Sequence, residues 1–204
     1  MKITGCVFDF GGVMTATTMP ERLRPIVSSL GVDWKILVDG YDRYRRLMDG
    51  DVISYETMYD LIFADAGVEV PADAVAAIIA EDMESYRSRN ERTVEFMRSL
   101  KERGFKIGIL TNMCTPFVPG FKKHFADFIE LADAMVISGE ERMFKPQRRI
   151  YDLLARRISL PAEELCFFDD VTANCEGARK AGWNCVQFAN IDQAIGDFEK
   201  LLNA

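Results

Sequence analysis

The chain has 204 residues, 49% hydrophobic and 28% charged, with 25 Lys and Arg against 32 Asp and Glu and a formal net charge of −7. That is the size of one globular domain, or of one domain with an insert, and a mean hydropathy of −0.04 is ordinary for either. An acidic chain suits the nucleic-acid backbone poorly, no apolar run reaches the ~18–20 residues of a membrane span, and the start lacks a secretory leader's pattern.

The five cysteines, Cys6, Cys114, Cys166, Cys175 and Cys185, are odd in number and irregular in spacing, with no CxxC. They predict neither a disulfide framework nor structural zinc, and they fit a reducing cytoplasm. His124 is the single histidine, so a multi-histidine metal site is excluded.

The first apolar run, Ile3 to Phe8, predicts a buried strand that ends at Asp9-Phe10-Gly11-Gly12. No strand pattern follows for about 75 residues. Leu23 to Leu30 with Pro25 in the first turn, Trp34 to Met48, Tyr55 to Ile62, and a segment opened by Pro71 predict four helices. Residues 15–90 therefore read as a helical subdomain inserted after the first strand, able to cover the strand ends and exclude water. Residues 1–14 and 91–204 make up the rest.

Val94, Met97 and Leu100 share a helix face closed by Gly104. A second strand, Phe105 to Leu110, ends at Thr111-Asn112, and a third, Ala134 to Ile137, ends at Ser138-Gly139. Lys145-Pro146 lies in a loop before a helix bearing Ile150, Leu153, Leu154 and Ile158. The fourth strand, Leu165 to Phe168, ends at Asp169-Asp170. A small-residue helix (Ala173, Gly177, Ala178, Ala181), a fifth strand over Asn184 to Phe188 and a helix from Ile191 to Leu202 complete the pattern. Alternating strands and helices predict an α/β fold, a Rossmann-like parallel sheet with helices on both faces, its ligand beyond the strands' carboxyl ends.

Chemistry at those ends falls to a few residues. Asp9 suits a nucleophile or a metal ligand, or else a turn residue. Thr111 and Asn112 offer a hydroxyl and an amide to phosphate oxygens, or else cap a helix. Lys145 can neutralise a phosphate or crowded carboxylates, or else lies on the surface. Asp169-Asp170 is a repelling pair that suits Mg²⁺, or else begins a helix. Asn174 and Glu176 can orient that pair. Met113, Cys114, Phe117 and Phe121 can contact substrate or pack beneath the insert. Arg22, Arg24, Arg43, Arg45 and Arg46 can grip a distal anion or remain solvated.

The order strand-Asp9, strand-Thr111-Asn112, Lys145-Pro146, strand-Asp169-Asp170 resembles the haloacid dehalogenase-like (HAD) hydrolase superfamily over nearly the whole chain. Phe167 to Trp183 is its most specific stretch. Phe8 to Val13 is similar to the branch holding the epoxide hydrolase N-terminal phosphatase and glucose-1-phosphate phosphatases. The resemblance implies a helical cap and a cytoplasmic Mg²⁺-dependent phosphatase acting on a small phosphorylated metabolite, a sugar phosphate among the candidates. It implies Asp9 as nucleophile, Thr111 and Asn112 as phosphate ligands, and Lys145 as charge partner. Mg²⁺ would be held by Asp9, the Gly11 carbonyl, and Asp169 or Asp170. The acidic charge and the lack of a long apolar run predict neither a nucleic-acid nor a membrane partner, and oligomeric state is left open.

One position departs from the family pattern. Phosphatases of this superfamily commonly carry a second Asp two residues after the nucleophile as general acid and base, and here Gly11 stands there. Three readings follow: a substrate with a good leaving group, an acid supplied by the cap, or a reaction other than phosphoryl transfer. The last comprises a haloacid-type dehalogenase and a catalytically impaired binding protein.

Overall fold

The computed structural model describes residues 2–15 and 23–203. Residues 16–22 of the predicted insert, including Arg22, lie outside the described residues. In chain order the elements are β1 (Gly5–Phe8), α1 (Leu23–Ser29), α2 (Trp34–Asp49), α3 (Tyr55–Asp65), α4 (Ala72–Ser85), α5 (Glu91–Glu102) and β2 (Lys106–Thr111). There follow α6 (Val118–His124), α7 (Ala126–Leu131), β3 (Ala134–Ile137), α8 (Ser138–Glu141), α9 (Arg148–Ile158), β4 (Leu165–Asp169), α10 (Thr172–Lys180), β5 (Asn184–Gln187) and α11 (Ile191–Leu202).

All five strands are parallel, in the order β3-β2-β1-β4-β5. Strand periodicity sorts the side chains onto two faces. Cys6, Phe8, Ile107, Ile109, Cys166 and Phe168 pack with α5 and α11 through Phe96, Met97, Leu100 and Phe198. Val7, Leu110, Leu165 and Phe167 point the other way, against Ile150, Tyr151 and Leu154 of α9 and Ala178 of α10. Both faces are buried, which is why the strands read as continuous apolar runs rather than alternating ones.

Among the described residues, helices α1 to α4 make up the insert between β1 and α5, with an apolar cluster of their own that includes Leu37, Met58, Tyr59, Ile62 and Ile78. Local signals set their starts. The Asp33 carboxylate accepts from Lys35 N at 2.7 Å, and Ser54 Oγ accepts from Thr57 N at 3.1 Å, satisfying donors that the helix leaves open. Among the described residues no helix is long and apolar enough to cross a membrane.

The cysteines correct one expectation. Cys175 on α10 and Cys185 on β5 are paired as a disulfide, their Cα atoms 5.6 Å apart. The helix-to-strand return brings these two together, a proximity that spacing in the chain does not display. Cys6, Cys114 and Cys166 are free and buried.

Candidate active site

The chain leaves β1 for β2 and β3 on one side, then returns to β4 and β5 on the other. The crevice of such a sheet opens at that switch point, beyond the carboxyl ends of β1 and β4. Phe8 pairs with Phe168, so the next residues outward, Asp9 and Asp169, emerge side by side, with Asp9 N donating to Phe168 O at 2.9 Å.

Lys145 closes this pair from the opposite side. Its ammonium lies 2.7 Å from both Asp9 Oδ1 and Asp169 Oδ2, and the residue is only 1% exposed. The loop that carries it is fastened by a reciprocal contact. Lys145 N donates to Asn112 Oδ1 at 2.8 Å, and Asn112 Nδ2 donates to Lys145 O at 3.2 Å. Gly177 allows the same loop to rest on α10: a Cβ there would sit 2.7 Å from Pro146 Cβ.

Asp169 is saturated. Oδ1 accepts from Val171 N at 2.8 Å, Oδ2 accepts from Lys145, and Asn174 Nδ2 donates to both oxygens at 3.1 Å. Its role in this geometry is to orient Lys145 and the start of α10. Asp9 Oδ1 accepts from Phe10 N at 2.7 Å as well as from Lys145, while Oδ2 stays clear of these bonds.

Asp9, Asp169 and Asp170 each offer an oxygen within 4.8 Å of one another. Three carboxylates face one ammonium. Burial pushes Asp9 well above the usual carboxylate range, opposed by Lys145 and reinforced by Asp169 and Asp170. Burial and then Asp169 raise Asp170 in the same way. Burial alone disfavours the Lys145 ammonium, but Asp169 and Asp9 outweigh it and its pKa stands above the ordinary lysine value. An oxygen-rich cluster with uncompensated negative charge is a donor set that fits a hard divalent cation such as Mg²⁺.

The cluster opens into a cleft of about 480 Å³. Asp9, Gly11, Asn112, Lys145 and Asp170 line its core side, and Asp42, Arg45, Arg46 and Asp49 line it from α2 of the insert. Thr111 lies buried at the end of β2, its hydroxyl 3.4 Å from Asn112 O. Asn112 reaches the cleft, but its side-chain amide is occupied by the Lys145 backbone. Met113, Cys114 and Phe117 instead meet Tyr41, Met48 and Tyr55 around a hollow of about 20 Å³, room for roughly one water. Of the insert's arginines, Arg24 stacks on Trp34 and Arg43 pairs with Asp65 at 2.7 Å, so only Arg45 and Arg46 face the cleft among the described ones.

Asp49 is not distinguished by its sequence surroundings, and Ser138 is marked only as the residue that ends the third apolar run. The buried Ser138 hydroxyl accepts from Met113 N at 2.7 Å and donates to Asp49 O, tying the last turn of α2 to the ends of β2 and β3. Ser138→Ala strands the buried Met113 N–H and is expected to cost about 1–3 kcal/mol in urea unfolding. A loss below the error of that measurement would show the tie to be dispensable.

Known proteins share this architecture. The chain is 22% identical over 218 residues to mouse bifunctional epoxide hydrolase 2, covering 98% of this chain but 39% of that protein. It is 24% identical over 185 residues to phosphatase MT3486 of Mycobacterium tuberculosis, covering 89% and 85% of the two chains. A HAD family enzyme of Bacteroides thetaiotaomicron, bt-2542, solved in complex with magnesium and inorganic phosphate, superposes with a TM-score of 0.63 at 18% identity, over 90% of this chain and 93% of that one. The haloacid dehalogenase-like hydrolase family model matches residues 3–182, which span β1 to α10 and every element that builds the cleft, and the chain belongs to that family.

Proposed function

We propose that the protein is a phosphoric monoester hydrolase that acts on a small phosphorylated metabolite through an aspartyl-phosphate on Asp9. The observation that carries this reading is the placement of Asp9, a buried carboxylate held by Lys145 at 2.7 Å within 4.8 Å of two further carboxylates, at the floor of a cleft. The phosphatase relative and the magnesium–phosphate complex of the Bacteroides enzyme support it. A carbon–halide displacement has no use for such a cation-binding cluster, and a turnover-free binding protein leaves it unexplained.

In this reading Asp9 attacks phosphorus and the ester oxygen departs, then water attacks the aspartyl-phosphate and regenerates the carboxylate. Lys145 holds the Asp9 carboxylate in one orientation and offsets charge as the phosphoryl group arrives. Asp169 fixes Lys145, and Asn112 fixes the loop that presents it. Asp9, the Gly11 carbonyl and Asp170 would hold Mg²⁺. Bound there, it supplies charge neutralisation at the phosphoryl oxygens. Residues 15–90 serve as a cap over the core formed by 1–14 and 91–204, and α2 presents Arg45 and Arg46 to the rest of the substrate.

The test is a phosphate-release screen over sugar phosphates, nucleotides, acyl phosphates and phosphoamino acids, with Mg²⁺ and with a chelator. Release from at least one ester is expected, and chelation is expected to abolish it. Halide release from haloacids that survives chelation would overturn the reading, as would silence across the whole panel.

A further inference from the structure

Gly11 offers no side chain at the position two residues past Asp9, yet the leaving oxygen of an unactivated ester needs a proton. Outside the Asp9 cluster, two carboxylates line the cleft, Asp42 from the middle of α2 and Asp49 as its last residue, two turns further along the same face. Asp42 is exposed, whereas Asp49 is buried, its side chain 8% exposed.

The backbone around Asp49 is fastened to the core. Its carbonyl accepts from Ser138 Oγ, and Thr115 N donates to Asp51 Oδ1 at 3.0 Å. Gly50 lies so close to Phe144 that a Cβ would sit 2.6 Å from Cδ1. Arg45 Nε donates to Asp49 Oδ2 at 3.2 Å, which leaves Oδ1 outside that bond. A carboxylate at the end of α2 is thus fastened to the core while lining the same cleft as Asp9.

We propose that Asp49 is the general acid and base of the reaction, supplied by the cap in place of the residue missing at Gly11. This rests on the phosphatase reading above. As Asp9 forms its bond to phosphorus, the bond from phosphorus to the ester oxygen breaks and that oxygen takes the proton of the Asp49 carboxyl. Water then attacks phosphorus and gives a proton back to Asp49. The bond from phosphorus to Asp9 breaks, and the products are an alcohol and inorganic phosphate.

The surroundings suit both roles. Burial raises Asp49 to about 6, against the lowering influence of Arg45 and Lys145, while Asp82 on α4 acts with burial. Tyr41, Tyr86 and Cys114 also face this region and are held neutral by pKa values pushed upward by burial. A group poised near neutrality can give and regain a proton within one turnover.

The test compares an alkyl phosphate taken from the screen with p-nitrophenyl phosphate, whose aryl oxide leaves without protonation. With Mg²⁺ present, Asp49→Asn is expected to lower kcat/KM on the alkyl ester by about 10²–10⁴-fold, and on the aryl ester by at least about tenfold less. Wild-type kcat/KM on the alkyl ester should fall above about pH 6, with that limb absent from the Asn variant and retained in Asp49→Glu. Because the readout is a ratio between two substrates on one preparation, partial misfolding of a variant does not imitate it. Equal losses on both esters, or no loss on either, would overturn the assignment of Asp49 alone. A wild type inactive on both would overturn the phosphatase reading and the assignment with it.

Discussion

Asp9→Asn should eliminate Mg²⁺-dependent phosphate release, a loss on the order of 10⁴–10⁶-fold, the scale seen when a covalent nucleophile is removed from an otherwise intact site. The amide keeps the shape of the carboxylate and its contact with Phe10 N, but its uncharged oxygen is too weak a nucleophile to attack phosphorus. The fold should survive. Burial disfavours the ionised form of Asp9, and two further carboxylates crowd it, so a neutral side chain relieves repulsion while Lys145 keeps Asp169. The expected thermal midpoint is equal to or above that of the wild type in metal-free buffer. Turnover within tenfold of wild type, measured by phosphate release, would remove Asp9 from the mechanism.

Lys145→Ala should be costly in a different way. It leaves Asp9 and Asp169 buried with no cation beside them, and removing one partner of a buried ion pair costs about 3–5 kcal/mol. For a chain of this size that lowers the thermal midpoint by roughly 6–20 °C.

The deficit should also depend on pH. Asp9 and Asp170 already titrate above their unfolded values, so the folded state binds more protons than the unfolded chain. Their contribution to stability is then fully present below the unfolded carboxylate pKa of about 4 and is lost as pH rises through the raised values. Without Lys145 those values rise further. The variant should therefore be closest to wild type near pH 4 and furthest from it at neutrality, as read by urea unfolding with a chelator present. A pH-independent difference would show that packing of the lysine stem, rather than its charge, sets the loss.

The sheet was legible because its strands are buried on both faces and end in polar residues. Ala134–Ile137 and Leu165 to Phe168 lie where the apolar runs put them, although β4 extends one residue further, to Asp169. The first strand is shorter than its apolar run, with Gly5 as its first residue. Thr111 belongs to β2 because it pairs with Ile137, a cross-strand partner that no local pattern names. The helices of the insert were legible from their apolar periodicity, whereas the Asp33 and Ser54 caps that start two of them appear only in the structure.

The residues around the nucleophile divide differently. By itself the sequence determined which polar side chains follow the apolar runs: Asp9, Thr111, Asn112, Asp169 and Asp170. It also determined that Gly11 carries no acid. Only the tertiary structure decided what those groups do to one another. Asp169 is saturated by Lys145, Asn174 and a backbone N–H, Asn112 serves the Lys145 loop, and Asp49 reaches the cleft from an inserted helix. The physical reason is range. Burial patterns and caps are written within a few residues of chain, whereas hydrogen-bond saturation and desolvation depend on groups brought together from opposite ends of it.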